Sequence, residues 1–190
     1  MKGNIFMKKT ERLILREYTA DDKHNLYKLF SEDFVSMYEA HLPKSISGIE
    51  DYIKFHTENA VSSNRTHYYY VIELRETLEF IGSIGYSFTE EIKINGVDGA
   101  VMELEYYLLE KYWNNGYMTE ALKKIISSAF EETGVLKLFA QCNKDNPRSE
   151  KVMIKCGMYK SAVQPNPKLY NGVLKENVRY EITANNYNRV

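Results

Sequence analysis

Cysteine is scarce: Cys142 and Cys156 are the two in 190 residues, and neither metal-ligand spacing nor a secretory context accompanies them. A disulfide framework and a structural zinc site are therefore excluded, and both thiols are expected to be reduced and buried. Histidine is little commoner, with His24, His41, His56 and His67 scattered without ligand spacing, so no metal site is expected. No stretch approaches the run of about 18 apolar residues that spans a membrane, and the opening MKGNIFMKK lacks the apolar segment of a signal peptide. The expectation is a cytoplasmic protein without a membrane partner. Charge of one sign is not in excess either. A formal net charge of −1 leaves no basic stripe to neutralise a phosphate backbone, so no nucleic-acid partner is expected, although a local basic pocket is compatible with it.

What remains is the composition of a globular protein, 44% hydrophobic and 27% charged, too apolar for disorder. A chain of 190 residues can bury a core without covalent staples. One domain is expected over residues 10–184, between an N-terminal extension at 1–9 and a C-terminal tail at 185–190. No internal repeat or low-complexity linker interrupts it.

The pattern E-R-L-I-L-R at 11–16 reads as a short apolar strand. Thr19 before Ala20-Asp21-Asp22 supplies a cap and an acidic first turn, which predicts a helix over about 20–31 with Leu26, Leu29 and Phe30 on its apolar side. Ser45 or Ser47 caps a second helix carrying Ile49, Ile53 and Ala60, and residues 32–44 between the two read as irregular. Strand patterns follow at 67–74, 80–88 and 101–109, with turns at Arg75-Glu76-Thr77 and Asn95-Gly96. The period then turns helical through Ala121, Leu122, Ile125, Ile126, Ala129 and Phe130, ending near Gly134. Residues 136–142 form a buried strand, Asn146-Pro147 opens a helix that stops at Gly157, and strands at 158–163 and 177–183 flank a loop with Pro165, Pro167 and Asn171-Gly172.

The chemistry is densest in M-E-L-E-Y-Y-L-L-E-K-Y-W-N-N-G-Y-M-T-E-A-L, residues 102–122. A strand delivers the chain to a loop, Gly116 lets backbone approach a ligand, and the first N–H groups of the next helix face any anion placed there. A diphosphate suits such a place. On the strand itself Glu103 and Glu105 alternate with Leu104, so both carboxylates share one side and either can accept an amine's proton.

Five blocks of this sequence resemble the GNAT superfamily, in its RimJ/RimL type of ribosomal-protein N-terminal acetyltransferase: T-E-R-L-I-L-R at 10–16, F-I-G-S-I-G-Y at 80–86, Y-W-N-N-G-Y-M-T-E-A-L at 112–122, N-P-R-S-E-K-V-M-I-K-C-G-M at 146–158 and Y-N-G-V-L-K-E-N-V-R-Y at 170–180. The resemblance implies a mixed α/β fold, with a twisted, mostly antiparallel seven-strand sheet and about four helices. It implies acetyl-coenzyme A as donor and transfer to an amine acceptor, by default an N-terminal alanine or serine. A polyamine or aminoglycoside-like small molecule is the alternative, a non-catalytic acyl-coenzyme A sensor the reading from another class, and the chain is a monomer or a homodimer.

Residue by residue, the resemblance makes Glu103 the base, with Glu105 as second candidate. It gives the strand end Tyr106, Tyr107 and Leu108 to the pantetheine arm, and Trp113, Asn114, Asn115, Gly116, Tyr117, Met118 and Thr119 to the coenzyme loop. Two departures stand out. Met118 occupies a place usually held by Gly or Ala, where it would crowd the diphosphate. The tyrosine that often protonates the leaving thiolate is replaced by Met153, and in this type Ser149 stands in for it, three residues after the coenzyme-contacting Asn146.

Overall fold

The computed structural model describes residues 7–39, 41–170 and 173–187. Strands are β1 (Met7–Lys9), β2 (Leu13–Glu17), β3 (His67–Leu74), β4 (Phe80–Ile94), β5 (Val97–Leu108), β6 (Val135–Asn143), β7 (Tyr159–Tyr170) and β8 (Val173–Thr183). Helices are α1 (Lys23–Phe30), α2 (Asp33–Tyr38), α3 (Ile46–Ala60), α4 (Tyr117–Glu132), α5 (Pro147–Lys155) and α6 (Ala184–Tyr187). The strands make one sheet in the order β1-β2-β3-β4-β5-β6-β8-β7. β5 pairs with β6 in parallel, while β1/β2, β2/β3, β6/β8 and β7/β8 are antiparallel. The mixed α/β fold is as expected, but the described sheet has eight strands rather than seven. The addition is β1, three residues whose lysines give no apolar signal and which exist only by pairing with β2. α2 likewise lies in the stretch read as irregular, because one and a half turns are too short for periodicity to register.

Contacts divide the chain into two compact units, one of residues up to Tyr86 with Tyr106–Ala121, the other of Ser87–Glu105 with residues from Leu122 onward. In the first, the expected helical face of α1 is buried: Leu26, Leu29 and Phe30 pack with Ile49 and Ile53 of α3 and with Tyr69 and Val71 of β3. Ser45 is the cap of α3, its hydroxyl accepting from Gly48 N at 3.1 Å. The turn Ala20–Asp22 is 3-10 rather than α. It is held by Asp22, whose carboxylate accepts from Thr19 N at 2.7 Å and from Arg16 Nη1 and Nη2 at 2.8 Å each. Arg16 also reaches Glu73 at 2.6 Å, and the Asp22 hydrogen bond, against the opposing effect of burial, raises its guanidinium pKa further.

In the second unit, Leu122, Ile125, Ile126 and Ala129 of α4 are buried. Gly134 at φ 67° and Gly157 at φ 81° end α4 and α5 in the left-handed conformation. Asn95 at φ 50° and Gly96 at φ 84° form the expected turn, in the two positive-φ positions of a type I′ hairpin. That turn zips β4 and β5 further than their apolar patterns extend, to Ile94 and from Val97. The final hairpin is also longer than read, with a register shift between Pro165 and Leu169, and its turn residues 171–172 lie outside the described residues. Cys156 is buried as expected, whereas Cys142 is only half-buried. No helix among the described residues is long and apolar enough to cross a membrane.

Asp22 is 2% exposed and serves a cap and an ion pair together. Asp22→Ala is expected to cost about 2–3 kcal/mol, for the lost cap and charge-assisted hydrogen bonds while Glu73 still holds Arg16, measured as the loss of unfolding free energy in urea.

Candidate active site

The end of β5 and the loop after it belong to the first unit. A Cβ at Gly82 would strike the Tyr107 carbonyl and the Leu108 backbone, so that glycine of F-I-G-S-I-G-Y is there for close strand approach. Leu109 N continues the contact, donating to Ile81 O at 2.9 Å. The ladder from β5 to β6 stops at Leu104↔Ala140, although β5 runs on to Leu108 and β6 to Asn143. Of the expected pantetheine-facing residues, Tyr107 packs its ring edge-on against Phe30 at 5.8 Å and Leu108 is buried, so these two side chains serve the core. Tyr106 is half-buried.

The loop is built from its own side chains. The Trp113 indole N–H donates to Leu108 O at 2.8 Å and the ring meets Phe34 edge-on at 5.4 Å, which makes Trp113 a staple between strand end and loop. Asn115 turns its amide back to Tyr112 O at 3.2 Å and Trp113 O at 3.0 Å. Asn114 at φ 62° and Gly116 at φ 78° are both left-handed. A Cβ on Gly116 would find only Arg12 Nη2, at 3.5 Å, so the backbone angle rather than space requires glycine. Glu120 N to Gly116 O, 3.0 Å, is the first hydrogen bond of α4, and helix geometry turns the N–H groups of Tyr117 and Met118 outward ahead of it. Met118, expected to crowd a ligand, is 7% exposed and packs into the core instead; Thr119 follows half-buried in the same turn.

Glu120 would set a negative charge in this first turn, but it is engaged from the turn between β1 and β2. Its carboxylate accepts from Thr10 Oγ1 at 2.5 Å, Arg12 N at 2.9 Å and Arg12 Nε at 2.7 Å, while Arg12 Nη1 donates to Asn115 O at 3.1 Å. Burial pushes the Glu120 pKa up, and the bonds from Thr10 and Arg12 outweigh it, holding the carboxyl below its ordinary value. Neither Thr10 nor Arg12 was singled out for the loop, because their separation of more than 100 residues from Glu120 hides the contact.

In the second unit Glu103 is half-buried on β5, and its Oε1 accepts from Gln141 Nε2 of β6 at 3.1 Å. Gln141 Oε1 in turn accepts from Gln164 Nε2 of β7 at 2.6 Å. Glu105 shares this face of β5. The cations nearby are engaged by another carboxylate: Arg179 Nε donates to Glu181 at 2.9 Å and lies 3.6 Å over the Phe139 ring, and Lys137 stands 3.8 Å from Glu181. Gln141 and Gln164 carry no signal of their own in the sequence, because β6 also holds the polar Lys137 and Asn143 and its register with β5 is set by the fold.

Asn146 caps α5, accepting from Ser149 N at 3.2 Å, with Pro147 in the first turn. Ser149 is hydrogen-bonded to the Cys142 thiol, which burial pushes up to about 11 while Ser149 pulls the other way. Because Gln141 and Cys142 are consecutive on β6, Glu103 and Ser149 address opposite faces of that strand. Met153 is fully buried, and the phenol next to this group is Tyr180, whose OH donates to Glu150 at 3.2 Å. Burial first, then Glu150, raises the Tyr180 pKa. Asn143, 6% exposed, accepts from Asp145 N at 2.9 Å, but its buried Nδ2 has no hydrogen-bond partner.

These features fit a coenzyme thioester on two counts. Left-handed backbone at Gly116 ahead of outward N–H groups suits a diphosphate, and an orphaned buried amide donor at the end of β6 suits a carbonyl acceptor.

Glu120 lends stability that is fully present above the ordinary carboxylate pKa of 4.5 and is lost as pH falls through its lowered folded value. The gap in thermal midpoint between the natural chain and Glu120→Gln is therefore expected to be constant near neutrality and to close in acid. A gap that widens below pH 4.5 would contradict the assignment.

The acetyltransferase (GNAT) domain family matches residues 12–159, which takes in β2 to α5 and the whole loop. An uncharacterised N-acetyltransferase of Bacillus subtilis (strain 168), YoaA, is 28% identical over 174 residues, 91% of this chain and 94% of that protein. Among solved structures, the ribosomal-protein-S5-alanine acetyltransferase of Vibrio fischeri superposes with a TM-score of 0.80 at 16% identity, over 96% of this chain and 98% of that one. A variant of the spermidine N-acetyltransferase SpeG of Vibrio cholerae gives 0.74 at 15%, over 94% and 97%. The chain belongs to the GNAT acetyltransferase family, enzymes whose acetyl donor is acetyl-coenzyme A.

Proposed function

We propose that this enzyme is of the RimJ/RimL type and acetylates a primary amine in the cytoplasm, by resemblance the N-terminal alanine or serine of a protein, with residues 10–184 working as one domain. The observation that carries the reading is Glu103: a half-buried carboxylate, fixed by an amide donor, on the strand that leads into the Gly116 loop. Acetyl-coenzyme A supplies an activated thioester when bound. The backbone N–H groups of Tyr117 and Met118, with the positive end of α4, hold its diphosphate, and Trp113, Asn114, Asn115 and Thr119 shape that loop. The strand end Tyr106, Tyr107 and Leu108 offers backbone to the pantetheine arm, and Asn146 contacts it while capping α5.

Glu103 takes the ammonium proton so that nitrogen can attack; Glu105 is the second candidate for that task. Ser149 presents a hydroxyl proton to the leaving sulfur. Transfer is direct, since burial keeps the Cys142 and Cys156 thiols protonated, pushed up to about 11 and about 12.

A small-molecule amine is the second reading, favoured by the likeness of fold to a spermidine acetyltransferase. The sensor reading loses one of its motives, because Met118 is buried in the core.

Thiol release from acetyl-coenzyme A over alanine- and serine-initiated peptides, spermidine and an aminoglycoside separates the acceptors. Peptides are expected to be turned over; turnover of spermidine alone would replace the first reading by the second. Glu103→Gln is expected to lower kcat/KM by about 10²–10⁴, the range for loss of a general base, with donor binding kept. Ser149→Ala is expected to lower kcat by about tenfold without moving the KM for acetyl-coenzyme A.

A further inference from the structure

Three side chains on one face of the second unit form a directed chain: Gln164 Nε2 donates to Gln141 Oε1 at 2.6 Å, and Gln141 Nε2 donates to Glu103 Oε1 at 3.1 Å. They come from three strands. Glu103 is opposite Phe139 on β6, Gln141 lies two residues beyond Phe139, and Gln164 is opposite Asn177 on β8, the strand next to β6. We infer that Gln141 is a positioning residue for the catalytic base, and that Gln164 braces Gln141 in the orientation the carboxylate demands. The inference rests on Glu103 being that base.

The direction of the chain follows from its end. An ionised carboxylate only accepts, so Gln141 must turn its NH2 toward Glu103, which leaves its carbonyl toward Gln164 and requires a donor there. A flipped Gln141 would set carbonyl oxygen against carboxylate. The carboxylate therefore sets the orientation of Gln141, and Gln164 braces it by donating to the carbonyl. The consequence is chemical as well as geometric. A hydrogen bond to the charged form favours ionisation, opposing the burial that would neutralise a half-buried glutamate. Other charges on this face are Glu105, Lys137, Arg179 and Glu181, and the two cations are engaged by Glu181, at 3.8 Å and 2.9 Å. Gln141 thus keeps Glu103 ready to take a proton at neutral pH and fixes the rotamer in which it does so.

The titration of Glu103 tests this without knowledge of the acceptor. Side-chain carboxyl carbon NMR, with Glu103→Gln assigning the resonance, is followed against pH in the natural chain, in Gln141→Met and in Gln164→Met, substitutions of nearly equal length. The Glu103 midpoint is expected to rise by about one unit in Gln141→Met and by less in Gln164→Met. With the best acceptor of the panel, the acid limb of kcat/KM moves up with it and kcat falls about tenfold, while the KM for acetyl-coenzyme A stays in place. Gln141→Glu, which sets a like charge beside Glu103, raises the midpoint further and serves if Gln141→Met does not fold. An unmoved Glu103 midpoint in folded Gln141→Met or Gln141→Glu overturns the inference. Turnover surviving in Glu103→Gln overturns instead the assignment of the base, and the two failures are read from different proteins.

Discussion

A parallel ladder fixes two strands only as far as its hydrogen bonds run, and the ladder between β5 and β6 ends at Leu104↔Ala140 while both strands continue. The stop falls where β5 passes from one compact unit to the other. Up to Glu105, β5 belongs with β6, β8 and α5, and there Glu103 meets Gln141. From Tyr106 it belongs with β2, β3 and the start of α4, and there it feeds the Gly116 loop. One strand therefore carries Glu103 and, five residues past the stop, leads into the loop that holds Gly116.

Each half secures its reactive parts with donors aimed at carboxylates. Glu120 is bound by Thr10 and by the backbone and side chain of Arg12, and Glu103 by an amide backed by a second amide. The two arrangements have opposite effects. At Glu120 a full guanidinium neutralises a charge that would repel a diphosphate from the first turn of α4. At Glu103 the amide of Gln141 donates a hydrogen bond and, being neutral, adds no charge of its own. Trp113 is a third device of the same kind, spending its one donor on Leu108 O to tie the loop to the strand that precedes it.

Much of this was legible in the sequence where the cause was local. Thr19, Ser45 and Asn146 marked helix starts, Gly134 and Gly157 marked helix ends, and Asn95-Gly96 marked a hairpin, because caps and left-handed positions depend on one or two residues. The strands were underestimated in length for a complementary reason. Beyond Phe88 the residues T-E-E-I-K-I carry no apolar run, and only the partner strand across Asn95-Gly96 keeps them extended. Met118 was misread as an obstacle because a loop motif gives position along the chain but not which way a side chain turns.

By itself the sequence determined the strand-loop-helix around Gly116, the shared side of Glu103 and Glu105, and the cap at Asn146. All of these follow from periodicity or from backbone angles that nearby residues dictate. Only the tertiary structure decided that Arg12 is bound to Glu120, that Gln164 is bonded to Gln141 and Gln141 to Glu103, that Ser149 rests against Cys142, and that Asn143 buries an unmatched donor. Those contacts join residues on separate elements, and side-chain direction at long sequence separation is fixed by packing, which no local pattern encodes.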